Sequence, residues 1–378
     1  MTNKVQSFIL RQTDESKGIY PFFKIQVGRD SFSLSNACII SHFRVISRIT
    51  ISSWLYSTTV PEASRGCRNV YDPGPDIITY LTTKGSSTTY GDGLKVTYQK
   101  AVLANIGLGE VSQNEQLVFM VSFVEGQKGI AESDLMEGIL GLQPQYGSGL
   151  IREFLTFWAK LAPALPKPVF VVDLKFNGIG EYIFGTIPYK SKEVQFWEGL
   201  DKNRWRLPIT KFAIGKQRSR QEASTADFCA SLDTASTSLW LPSNIVQAYY
   251  SMVPGYIHQD GLYLIPQRQV LPDLYLYIGE RHYEVKIPGA FFKPQGLIDD
   301  KYYPGRLEES SETHGALLGH PFFFAVNVIL KGNDNLSVGL VKKDTEKLGE
   351  EYREANNKAE TCRESSSCIQ DGPFCSPQ

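Results

Sequence analysis

Apolar positions along the chain fall into short runs rich in β-branched and aromatic residues, and strands rather than helices are the elements this pattern predicts. Tyr20-Pro-Phe-Phe-Lys-Ile-Gln-Val27, Val118-Phe-Met-Val-Ser-Phe-Val124, Val169-Phe-Val-Val-Asp-Leu174 and Leu271-Pro-Asp-Leu-Tyr-Leu-Tyr-Ile278 are of this kind. Helical spacing is confined to two pieces, Ser148–Leu161 and Ser243–Tyr250, the second with Ser243 as a candidate cap. Each is expected as a surface helix on a β scaffold. From Lys342 the apolar positions nearly stop, and residues 342–378 are expected as a disordered polar tail that buries too little surface to offset its chain entropy.

The chain also echoes itself. Trp54-Leu-Tyr-Ser57 is matched by Trp240-Leu-Pro-Ser243, and Ile139-Leu-Gly141 by Leu317-Leu-Gly319. From Trp54 to Gly141 is 87 residues and from Trp240 to Gly319 is 79. Paired echoes in the same order at similar spacing point to a duplicated β unit, two lobes with a cleft between them.

Composition narrows the function. With 39 Lys plus Arg against 40 Asp plus Glu, no basic surplus exists to neutralise a phosphate backbone, so nucleic acid is not an expected partner. No apolar run reaches the ~20 residues that span a bilayer, and the opening MTNKVQSFILRQTDES lacks the apolar run of a signal peptide. Cys38, Cys67, Cys229, Cys362, Cys368 and Cys375 form no C-x-x-C pair and are expected as free thiols; the scattered histidines offer no metal-ligand spacing, so no metal or cofactor is expected. No G-x-S-x-G, Walker A or G-x-G-x-x-G motif is present. Asn335-Leu-Ser337 is a glycosylation sequon, meaningful in a secretory protein.

Beside the second echo stands Ser231-Leu-Asp233-Thr234-Ala235-Ser236-Thr237-Ser238. An Asp ending an apolar run and followed by small hydroxyl residues suits a buried carboxylate, because hydroxyls and loop amides can hydrogen-bond it. Here the chain resembles the pepsin-like aspartic endopeptidases, peptidase family A1, and the fungal secreted branch in particular. Asp233-Thr234-Ala235 is similar to the family's second Asp-Thr-Gly signature. Ser86-Ser-Thr-Thr-Tyr90-Gly91-Asp92-Gly93 resembles its flap hairpin, and Asp-Gly is a turn signal in its own right. Glu137–Leu142 and Ala316–Gly319 resemble the two hydrophobic-hydrophobic-Gly segments behind the active site, and Val169–Gly185 followed by Arg204–Gly215 resembles the link between lobes. The similarity runs from about Ile19 to about Val341.

The resemblance implies an all-β, bilobal pepsin-like aspartic protease fold. Residues 17–187 would form the N-terminal lobe with the flap, and residues 188–341 the C-terminal lobe. It implies acid hydrolysis of extended, apolar-rich peptides by a monomer without a cofactor, in a family that is usually secreted. Asp233 would be catalytic, and Tyr90, Gly91, Asp92, Thr234 and Thr237 would contact substrate.

That mechanism uses two carboxyls sharing one proton, one acting as acid while the other activates water. The first is missing. Aligning the Trp54 echo without gaps puts Ser47 in its place, and aligning Thr50-Ile-Ser-Ser53 on the family signature puts Ile49 there; no Asp lies between Asp30 and Asp72, and the one Glu in that interval is Glu62. Ala235 replaces the family glycine, and His320 stands where many members have Asp. Ser35–Arg48 is unlike any family strand; true loss and a misjoined exon both account for it. The expectation is an impaired aspartic endopeptidase. The alternatives are a pseudoprotease binding peptide or protein in its cleft, and a cleft recruited to small-molecule tailoring in a fungal biosynthetic pathway.

Overall fold

The computed structural model describes residues 6–11, 22–28, 41–48, 54–56, 86–89, 95–108, 111–125, 138–144, 155–176, 180–198, 201, 204–216, 222–293, 301–311, 315–332 and 335–364. Strands dominate it, as the short β-branched runs predict. The first half builds a seven-stranded sheet in the order 22–28, 41–48, 138–141, 54–56, 111–125, 95–108, 86–89. Its longest members, Lys95–Leu108 and Val111–Glu125, pair antiparallel. Burial at Ala104, Ile106 and Leu108 alternates with half-exposed neighbours, the period-2 signature of a strand with one face in the core.

The second half builds another seven-stranded sheet in the order 283–287, 274–278, 206–214, 224–232, 316–318, 239–241, 307–309, with a three-stranded sheet of 257–259, 262–266 and 302–304 beside it. The echo in sequence is an echo in hydrogen bonding. Strand 41–48 runs parallel to 138–141, which Trp54 joins antiparallel at Ile139. Strand 224–232 runs parallel to 316–318, which Trp240 joins antiparallel at Leu317.

A six-stranded sheet, ordered 8–11, 181–184, 169–173, 326–331, 337–342, 195–198, draws strands from both halves. An aromatic knot lies against it: Trp158, Phe170 and Trp205 are buried, with centroids of Phe170 at 4.8 Å from Trp158 and 5.4 Å from Trp205. The Trp158 indole N–H donates to the Gly332 carbonyl at 3.0 Å. Of the helix expected over Ser148–Leu161, residues 148–154 lie outside the described residues; the described part forms a helix at Phe157–Leu161, capped by the Thr156 hydroxyl, and this part is a core element, not a surface one, since Phe157, Trp158, Ala159 and Leu161 are all buried. Helix Ser243–Tyr250 forms as expected, but Pro242 occupies its cap position while the Ser243 hydroxyl donates to Glu309.

The disordered tail expected over 342–378 is corrected in part by a helix, Thr345–Glu364. Composition hid two residues four apart, Leu348 and Tyr352, that share one helix face. Leu348 packs on the core, and the Tyr352 ring lies 5.0 Å from Phe176 and 5.4 Å from Phe291. The Tyr352 hydroxyl donates to the Lys293 carbonyl at 2.5 Å and accepts from buried Arg306 at 3.4 Å. Tyr352→Phe should therefore lower the unfolding free energy by about 1–2 kcal/mol in a urea titration, with the ring packing kept.

Candidate active site

Strand 224–232 delivers Asp233 into a tight turn, where it is 4% exposed. Its amide donates to the Leu318 carbonyl at 3.1 Å, and one carboxylate oxygen accepts from the Ala235 amide at 3.0 Å. Thr234 and Ala235 are buried, and Thr237 is half-buried in the same turn. A turn of small residues lets backbone amides reach the carboxylate, which is what the sequence pattern predicted.

The turn is braced from beneath by the segment after strand 316–318. The His320 amide donates to the Ser236 carbonyl at 2.8 Å, and the Nε2–H of its ring donates to the Thr234 carbonyl at 2.9 Å. Between them lies Gly319, where a Cβ would stand 2.2 Å from the Ser238 carbonyl oxygen and 2.4 Å from that of Ser236. Arg306, a buried cation that no sequence signal announced, adds its charge nearby.

Burial first, then the Arg306 charge, hold the His320 pKa down to about 4, against the opposing pull of the Thr234 carbonyl and Asp233. Folded His320 thus binds fewer protons than the unfolded chain between its ordinary 6.5 and 4. Stability from this group is complete above the unfolded value and is lost as pH falls through the folded one, by on the order of 3 kcal/mol. Urea midpoints at pH 7 and pH 4 should show this loss, and His320→Gln should flatten it.

Strand Ser86–Thr89 pairs antiparallel with the start of strand 95–108, ending at Thr89 opposite Lys95. Tyr90, Gly91 and Asp92 fall between them and lie outside the described residues, as does Ile49. In the first half the parallel ladder sets Ile46 opposite Ile139, Ser47 opposite Leu140 and Arg48 opposite Gly141. In the second half it sets Ser231 opposite Leu317 and Leu232 opposite Leu318. Ser47 therefore matches Leu232, not Asp233. Among the described residues no helix is long and apolar enough to cross a membrane, and no cluster of three His, Cys, Asp or Glu could hold a metal ion. Cys229 carries an exposed free thiol.

The sequence model of the eukaryotic aspartyl proteases matches residues 50–342. Among curated proteins, aspartic protease PEP3 of Coccidioides posadasii is 24% identical over 289 residues, covering 73% of this chain and 64% of its own length. Aspergillopepsin-1 of Aspergillus oryzae is 27% identical, covering 73% of this chain and 69% of its own. Penicillopepsin-1 of Talaromyces stipitatus is 27% identical, covering 76% and 71%. The chain thus spans about two thirds of the length of the relatives it matches.

Proposed function

Because the chain belongs to the eukaryotic aspartyl proteases, we propose that it holds an extended peptide in a cleft between a lobe of residues 17–187 and a lobe of residues 188–341, with peptide-bond hydrolysis impaired. Asp233 is the surviving catalytic carboxylate, Thr234 and Thr237 flank it, and Tyr90, Gly91 and Asp92 form the flap over the peptide. One observation carries the impairment: Asp233 sits hydrogen-bonded in its turn, while the stretch from residue 31 to residue 71 contains no Asp and a single Glu, Glu62, beyond the Trp54 echo.

The chemistry explains the cost. Water attack on a peptide carbonyl needs one carboxylate to take the water's proton and one carboxylic acid to polarise the carbonyl, and a lone Asp233 cannot be both at once. The test is cleavage of acid-denatured casein at about pH 3–5, where a carboxyl dyad holds one proton, by the parent chain and by Asp233→Asn. Aspergillopepsin-1 is assayed alongside, with circular dichroism confirming that each protein is folded. The parent should fall about 10²–10⁴-fold below the relative, and Asp233→Asn should lower it little further. Pepstatin-sensitive cleavage at the relative's rate, lost in Asp233→Asn, would overturn the impaired reading.

A further inference from the structure

The two halves carry the same three-strand hydrogen-bonding unit, so the partner of Asp233 can be found by register instead of by alignment. In the second half, Ser231 and Trp240 both meet Leu317, from opposite sides, and Asp233 stands one step past the Leu232–Leu318 pair. In the first half, Ile46 and Trp54 both meet Ile139, and one step past the Ser47–Leu140 pair stands Arg48. The residue opposite Arg48 is Gly141, and the residue after Leu318 is Gly319. In the second half that glycine has a physical reason, the close approach of the Ser236 and Ser238 carbonyls.

We infer that Arg48, rather than Ser47 or Ile49, occupies the place of the missing carboxylate, so that a permanent cation and Asp233 hold the two related positions. The inference rests on Asp233 being the surviving catalytic carboxylate. It also explains why a gapless count misses the position: Asp233 precedes Trp240 by seven residues, whereas Arg48 precedes Trp54 by six. One residue fewer between strand and echo shifts the register by one, and in a strand one step changes which face a residue is on.

Charge inversion at this position does more than delete a catalytic group. Two neighbouring carboxyls oppose each other's ionisation, which is what keeps one protonated. A guanidinium does not give up its proton in a protein. With Arg48 in that place, Asp233 has no second carboxyl with which to share a proton, and neither position supplies the acid that polarises a scissile carbonyl.

The experiment rebuilds the dyad by position in the full chain: Arg48→Asp alone, Arg48→Asp with Ile49→Thr and Thr50→Gly, and separately Ser47→Asp and Ile49→Asp. Pepstatin-sensitive casein cleavage should rise at least about tenfold over the parent in one of the Arg48 variants and in neither of the others. A gain from Ser47→Asp or Ile49→Asp in its place would overturn the register inference while leaving the impaired reading intact; full activity in the parent would overturn the impaired reading. A second measurement stands even if no variant turns over: pepstatin binding by the folded chain at about pH 4 should tighten at least about tenfold in Arg48→Asp and in neither Ser47→Asp nor Ile49→Asp, and equal binding in all three would overturn the inference.

Discussion

Gly319→Ala should cost about 4 kcal/mol or more, enough to leave little folded chain near its thermal midpoint. The added methyl would meet two backbone carbonyl oxygens, of Ser238 at 2.2 Å and Ser236 at 2.4 Å, and the Ser236 Cβ at 2.9 Å. Backbone cannot swing aside as a long side chain can, so the segment carrying His320 must pull away from the Asp233 turn. That movement would strain both bonds by which His320 holds the turn, through its amide and through its ring. The control is Gly261→Ala, where nothing lies within 4 Å but φ is +78°. Its cost is conformational, about 1 kcal/mol. Differential scanning fluorimetry of the two variants separates contact from backbone preference. Equal shifts would mean that the close approach at Gly319 does not exist.

Lys343→Ala should cost a similar amount, about 3–5 kcal/mol. The Lys343 ammonium donates to the carbonyls of Leu174 at 2.8 Å and Phe323 at 3.0 Å and forms an ion pair with Asp173 at 2.6 Å. Burial pushes its pKa down and Asp173 pulls it back up, so the charge is held by its partners. Removing it leaves two carbonyls and a carboxylate short of a donor, with Lys175 at 3.8 Å the remaining cation on Asp173 among the described residues. Lys343→Met with Asp173→Asn should recover part of the loss, because the penalty lies in the unpaired charge. Chemical denaturation of the single and double variants checks this. A fully additive cycle would mean the pair is not coupled.

Some of this was open to reading in the chain and some was not, for identifiable reasons. The Asp233 turn and the two Gly-bearing segments were legible because close backbone approach admits few residue types, and those few recur in the same order at similar spacing. The Trp54 and Trp240 echoes did mark the same hydrogen-bonding unit. Arg48 was not legible, because strand register depends on the length of a connection, and a gapless count cannot see one residue lost. The helix over 345–364 was missed because a single buried aromatic, Tyr352, anchors an otherwise polar run. Arg306 and Lys343 gave no signal, since cations are usually exposed and only tertiary partners keep these inside.

The sheet shared by the two halves also sets a timetable for synthesis. Strand 169–173 finds its neighbours at 181–184 almost at once, but its other edge waits for 326–331, and that strand waits for 337–342. At ribosomal rates of about 5–20 residues per second the wait is on the order of ten seconds. Through that interval the nascent chain presents an unpaired edge made of Val169, Phe170, Val171 and Val172, an apolar template for mispairing. Strand 337–342 joins 326–331 to 195–198 in that sheet, and a chain stopped just before it would be a substrate for chaperones.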